Sequence, residues 1–292
     1  MAIIPTTIVR TCMIASWMLC LLSLNSGKGL AQESPFNPSE KLSYLISWSF
    51  IPAARATLET VHPLDNDPPG TAQHFILTAY TLPAIAWIYP YQEQVHSYVT
   101  EGLGHSLMYT KQQTSKHPRD IVVRFDWQTG TAQYSNLGRA EDPISIPPET
   151  IDPLSALFYI RTQQLAGPFS LQRWVTDGKN LSLGRATFLR QETITLNGKR
   201  YQAMKIEPDL RDVKGVFEKS PGAAMHIWLT DDGRKILLKL KSEVTIGSFV
   251  AELIEEESII PGAPIASKPA ESTHAPASVQ PWENTDTNSN AP

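Results

Sequence analysis

The sequence predicts a mainly β protein: a single domain of antiparallel strands forming an open barrel or strongly curved sheet, with one packed α-helix at about 152–166. Three observations predict it. Apolar residues recur with a period of two in segment after segment, the mark of strands with one buried face. Glycine-containing pairs suited to tight hairpins separate these segments. A helical apolar spacing interrupts them once.

Residues 1–31 have the order of a secretory signal. Arg10 supplies the positive start, residues 12–24 are apolar, and Gly29 and Ala31 are the small residues that a signal peptidase reads. Cleavage is expected after Ala31, and the only two cysteines, Cys12 and Cys20, leave with the leader. Lipidation of Cys20 is disfavoured because the bulky Trp17, Met18 and Leu19 precede it. A retained anchor is disfavoured because the apolar stretch is shorter than the ~20 residues a spanning helix needs. The expectation is a periplasmic protein with no transmembrane segment in the mature chain.

Loss of the leader removes Arg10 and Lys28 but no acid, so the net charge of −4 becomes −6. The remaining basic residues are scattered rather than striped, which argues against a nucleic-acid partner. At the other end, residues 261–292 carry six prolines among Ser, Thr, Ala and Asn, with Trp282 as the only aromatic. Such a segment is expected to be a disordered Pro-rich tail. Residues 32–260 then form the domain, a length that one barrel or sandwich commonly occupies.

The first strand is expected where Leu42, Tyr44, Ile46 and Trp48 alternate with Lys41, Ser43 and Ser47, broken only by Leu45. Segments 74–80, 94–100, 121–127 and 171–175 repeat the signal with β-branched and aromatic residues. Segments 187–196, 200–206, 225–230, 235–244 and 248–255 form a C-terminal meander. Asp177-Gly178, Asn197-Gly198, Asp232-Gly233 and Thr129-Gly130 supply residues that tolerate positive φ in the turns. The helix is announced by Asp152 as cap, Pro153 at its first position, and the spacing of Leu154, Leu157, Phe158, Ile160 and Leu165 before Gly167-Pro168. It is expected to act as a lid or plug on the curved sheet.

No catalytic constellation emerges. The seven histidines have neither helical two-His spacing nor a companion cysteine, so no metal or other cofactor is expected. Asp231 and Asp232 adjoin Gly233 and read as turn residues. No nucleophile elbow or phosphate loop occurs, and the glycine cluster at 102–106 lacks a strand-turn-helix context. Asp126, Glu207 and Glu252 are candidates for a glycosidase-type carboxylate pair only if the fold brings two of them together. The aromatics carry more: Trp48, Trp87, Tyr89, Tyr91, Trp127, Trp174 and Trp228 exceed what an aliphatic barrel needs, and 82–91 reads as an apolar loop or edge.

The chain resembles the DUF3108 family of exported bacterial proteins. The likeness is carried by residues 40–48 (EKLSYLISW), 152–161 (DPLSALFYIR), 227–232 (IWLTDD) and 246–253 (IGSFVAEL), in the family's order. Where the family has a glycine shortly after the opening tryptophan, this chain has Pro52-Ala53-Ala54. The resemblance implies a curved, β-rich envelope protein and brings no assigned activity or catalytic residue.

The expected function is a non-enzymatic periplasmic binding or envelope-maintenance protein that carries a lipid or other apolar ligand, or an envelope partner, on the concave face of the sheet. Trp48, Trp87, Tyr91, Arg161 and Trp228 are the expected ligand-binding residues. Arg161 also admits a structural ion pair. A carboxylate-dependent hydrolase of envelope glycan or peptide and a purely structural interaction module are the alternatives.

Overall fold

A computed structural model describes Phe36 and residues 39–163, 165, 168–209, 224–243 and 247–258. The leader, its cleavage point and the Pro-rich tail lie outside the described residues. Fifteen strands build one antiparallel sheet: β1 (Glu40–Trp48), β2 (Ile51–Val61), β3 (Gln73–Thr81), β4 (Gln92–Val99), β5 (Ser106–Thr114), β6 (Arg119–Asp126), β7 (Thr131–Asn136), β8 (Arg139–Ala140), β9 (Ile144–Ser145), β10 (Ser170–Thr176), β11 (Leu181–Leu196), β12 (Lys199–Asp209), β13 (Met225–Thr230), β14 (Leu237–Glu243) and β15 (Ser248–Ser258). Strands β10 to β15 pair in sequence, β15 pairs with β1, and β1 continues in sequence to β8, with β9 added to β7. First and last strands are thus internal, and among the described residues the sheet ends at β10 on one side and at β8 and β9 on the other.

The sheet does not close by a hydrogen-bonded ladder, yet its ends approach. Ile151 forms a lone parallel bridge with Val175 of β10, its N–H donating to the Trp174 carbonyl at 3.0 Å and its carbonyl accepting from Thr176 N–H at 3.0 Å. The β10–β11 turn then leans on β6. Gly178, at φ +86°, sits so close that a Cβ there would lie 2.8 Å from Val123 Cγ2. Only glycine fits both the backbone and the gap.

One face of the sheet is filled. Leu42 and Tyr44 of β1, Phe75 of β3, Val95 and Val99 of β4, Val123 of β6, and Ile227 and Leu229 of β13 are all buried in one core. The helix α2 (Pro153–Thr162) lies in that core, where Phe158 stacks on Phe75 with ring centroids 3.9 Å apart. Eight of its ten residues are buried, so it is apolar nearly all round, as a helix enclosed by a curved sheet must be. Plug describes it, and lid does not.

The helix starts as its sequence specifies. Asp152 Oδ1 accepts from the N–H groups of Leu154 and Ser155, both at 2.9 Å. Asp152 Oδ2 accepts from Ser97, Ser106 and Ser155 hydroxyls at 2.6, 2.5 and 2.7 Å, tying the cap to β4 and β5. A carboxylate with no exposed surface is thereby satisfied. The end differs from the expected 166: Gln163 is already extended, and Leu165 lies beyond the helix, packed against the core. An apolar residue at helical spacing buried itself without helical backbone.

A second helix, α1 (Pro83–Ala86), and a 3₁₀ turn (Glu101–Leu103) accompany it among the described residues. The β13–β14 turn also departs from expectation: positive φ falls on Lys235, not on Asp232 or Gly233. The Asp232 carboxylate accepts from the N–H groups of Arg234 and Lys235 at 3.0 Å and fixes the turn instead.

Candidate functional site: an apolar rim

Antiparallel pairing brings alternate hairpins to one end of the sheet. The β1–β2 turn, the β3–β4 connection carrying α1, the β5–β6 and β7–β8 turns, and the start of β15 all meet there. Of twelve large apolar residues exposed among the described residues, nine belong to this end: Trp48, Phe50, Ile51, Tyr80, Trp87, Ile88, Tyr89, Leu137 and Phe249. Phe50 is 97% exposed and Trp87 89%. Leu64 is at the opposite end, and Trp174 and Leu189 stand on β10 and β11.

The rim is held by backbone bonds, not by burial of its own side chains. Leu82 N–H donates to the Ala53 carbonyl at 2.9 Å, joining the α1 connection to β2. Thr81 Oγ1 donates to the Tyr89 carbonyl at 3.1 Å and accepts from Tyr91 N–H at 3.1 Å, closing the connection on itself. No residue of α1 is buried. On the β1–β2 side, a register shift between Ile46 and Ser47 opposes Ala54 and Pro52, so the Pro-Ala-Ala segment makes a bulge where a glycine was expected from the family. Trp48 is in register with both Ile51 and Phe249, which carries the apolar surface across three strands.

Just inside this rim is a polar floor. Tyr91 hydroxyl bonds Glu93, and Lys111 Nζ reaches the same carboxylate at 2.5 Å, with the two charged side chains 15% or less exposed. Burial, with the adjacent Glu93 charge, pushes the Tyr91 phenol far above its ordinary value. It stays a neutral donor.

The five residues named from the sequence do not form one cluster. Trp48 and Trp87 are on the rim, and Tyr91 is directly beneath it. Arg161 is in the core, 2% exposed, with Nη1 and Nη2 at 2.7 and 3.0 Å from the two Glu40 oxygens. Its guanidinium also donates to the Arg234 carbonyl at 3.2 and 3.4 Å and faces the rings of Phe36 and Phe158. Trp228 lies on the outer face between Lys205 and Lys239, its Nε1 donating to Glu192 at 2.5 Å. Sequence reasoning missed Phe50, Ile51 and Phe249. The signal was present in Trp48-Ser-Phe-Ile51, an apolar run too long for a hairpin turn that hides nothing.

A family model described as a protein of unknown function, DUF3108, matches residues 43–254. The chain belongs to the DUF3108 family. That match runs from within β1 through most of β15 and includes both α2 and the rim of this DUF3108 chain. The structure is similar to a crystal structure of a β-barrel-like protein of domain of unknown function DUF1849 from Brucella abortus, with 9% identity, a TM-score of 0.48, and coverage of 75% of this chain and 97% of that one. A putative lipoprotein from Parabacteroides distasonis is similar at 8% identity and a TM-score of 0.28, over 75% of this chain and 95% of the other. No curated protein matches the sequence.

Other clusters offer less. Asp126, Glu207 and Glu252 stand on β6, β12 and β15, none adjacent in the sheet; Asp126 accepts turn N–H groups and Glu252 pairs with Lys239. No group of three His, Cys, Asp or Glu among the described residues is placed to share a metal ion. His74 and His96 share a contact of 2.9 Å on the outer face, with Asp67 3.2 Å from His74 Nδ1 but poorly aligned for a hydrogen bond. An apolar cleft between α2 and β10–β12, lined by Ala156, Ile160, Leu171 and Ala186, holds only about 30 Å³. No helix of the described residues is long and apolar enough to cross a membrane.

Proposed function

We propose that this DUF3108 protein is a non-enzymatic binding protein of the bacterial envelope, exported to the periplasm behind residues 1–31, and that it engages its target through the apolar rim. The observation that carries this reading is the gathering of nine of twelve exposed large apolar residues at one end of a sheet whose interior is already filled. Exposed apolar residues gathered in that way mark sites of association. The filled core favours the rim over the concave face expected from the sequence. A lipid carrier needs an internal volume of hundreds of Å³. The cleft beside α2 offers about 30 Å³, and the larger hollows, about 280 Å³ beside Tyr201 and about 600 Å³ beside Trp127, are open to solvent and lined largely by polar residues.

Photo-crosslinking in the native host tests the reading. A photoreactive residue in place of Trp87 or Phe50 is expected to give adducts, lipid or protein, that the same residue at the exposed Arg124 of β6 does not. Equal labelling from all three positions, or none from the rim, overturns it.

A further inference from the structure

Resting on that reading of the rim, we propose that its target is the surface of an anionic phospholipid bilayer. The chemistry of the residues around the apolar collar points to it. Arg55 stands in register with Tyr80 on the neighbouring strand. Arg119 opens β6, close enough to Tyr91 to bear on its phenol, and Arg139 opens β8. Lys116 sits in the turn between β5 and β6. All four cations are exposed, and none has an ion-pair partner among the described residues. Against them stand the exposed Asp120 and, just beyond Arg139, the exposed Asp142, while Glu93 is held by Lys111 and Glu141 by Lys179.

The whole chain carries −4, so this positive arc runs against the overall charge. Exposed tryptophan and tyrosine on the β3–β4 connection, bordered by unpaired arginine and lysine, suit the boundary between headgroups and acyl chains. The rings enter the interface and the cations meet phosphate. A soluble apolar partner would leave those cations at best uncompensated, whereas an anionic headgroup layer supplies charge to each of them. The two protruding elements, the β1–β2 turn with Phe50 and the α1 connection with Trp87, are joined through Leu82 and Ala53. They are therefore neighbours at this end of the sheet.

Co-sedimentation of the chain isolated from its native host tests this, using phosphatidylcholine vesicles with and without ~30% phosphatidylglycerol. Binding is expected only with phosphatidylglycerol present and is expected to weaken as salt rises. Neutralising two cations in Arg119→Gln/Arg139→Gln is expected to lower partitioning about 30-fold, from ~5-fold per cation. Removing either ring, in Phe50→Ser or Trp87→Ser, is expected to lower it at least ~10-fold. Both rings are almost wholly exposed, so these variants retain the fold, which circular dichroism checks. Binding indifferent to phosphatidylglycerol, or unchanged in the variants, overturns the proposal. Absence of vesicle binding while Trp87 still crosslinks to a protein overturns the bilayer and leaves the rim standing; absence of both overturns both.

Discussion

Arg161 and Glu40 allow a sharp test of what holds the plug helix in place. The pair is bidentate at 2.7 and 3.0 Å, with side-chain exposures of 2% and 5%. Removing one partner leaves the other charge buried without compensation, which costs about 3–5 kcal/mol. Arg161→Met therefore strands Glu40, and Glu40→Leu strands Arg161, each at roughly that cost. In the double variant both charges are gone. The orphaned Arg234 carbonyl then costs about 1–3 kcal/mol, which new apolar burial against Phe36 and Phe158 offsets by a similar amount. The double variant is thus expected to be more stable than either single one. Urea unfolding of the four proteins measures this, read from midpoints at a shared slope. If the double variant loses the sum of the two single losses, the pair is not coupled and the argument from desolvation fails.

Three further outcomes follow from the geometry. Asp152→Ala removes a cap worth about 1 kcal/mol and the acceptor shared by three buried serine hydroxyls, of which Ser97 and Ser155 keep their mutual contact at 2.6 Å, so a loss of about 2–3 kcal/mol is expected by urea unfolding. Gly178→Val places side-chain atoms against Val123 at a left-handed backbone, and should cost about 2 kcal/mol and raise amide exchange in the β10–β11 turn; unchanged exchange there would show that the turn does not close on β6. Burial holds the His74 and His96 imidazoles below their ordinary pKa, so the unfolded chain takes up protons that the folded chain refuses. Stability is full above about pH 6.5 and falls as pH drops below it, and His74→Gln/His96→Gln should shrink the difference in urea midpoint between about pH 7.5 and pH 5.5.

Strands with one buried face were legible because the period of two is written in single residues: Leu42 and Tyr44 are buried and Lys41 and Ser43 are not. The 225–230 segment reads the same way in sequence and structure. Asn197-Gly198 turns with φ of +50° and +77°, and Leu196 faces Lys199 across it. Strand β2 was not legible. Pro52-Ala-Ala-Arg-Ala56 has little intrinsic strand preference, and this segment is extended because β1 and β3 pair on both sides of it. The short α1 was hidden for the opposite reason, since four residues carry no periodic signal. The rim was half legible. Trp87 and Tyr91 drew attention as aromatics, but that Phe249 stands beside Trp48 depends on β15 pairing with β1, a contact some 200 residues apart that no local pattern encodes.

The rim also bears on how the fold divides its tasks. The interior needs every apolar residue it has: α2 is buried on nearly all sides, and its two polar intrusions, Asp152 and Arg161, are satisfied by partners dedicated to them. Opening that interior for a ligand would uncover the Asp152 network and the Glu40 pair together, at a cost comparable to the 5–15 kcal/mol that holds a whole domain folded. The rim carries no such constraint. Its α1 connection is held by bonds from Thr81, Leu82 and Tyr91, and Phe50 and Trp87 are almost wholly exposed. Exposed phenyl and indole groups there add nothing to the folded state and raise the risk of self-association. What they can contribute is contact with something outside the molecule.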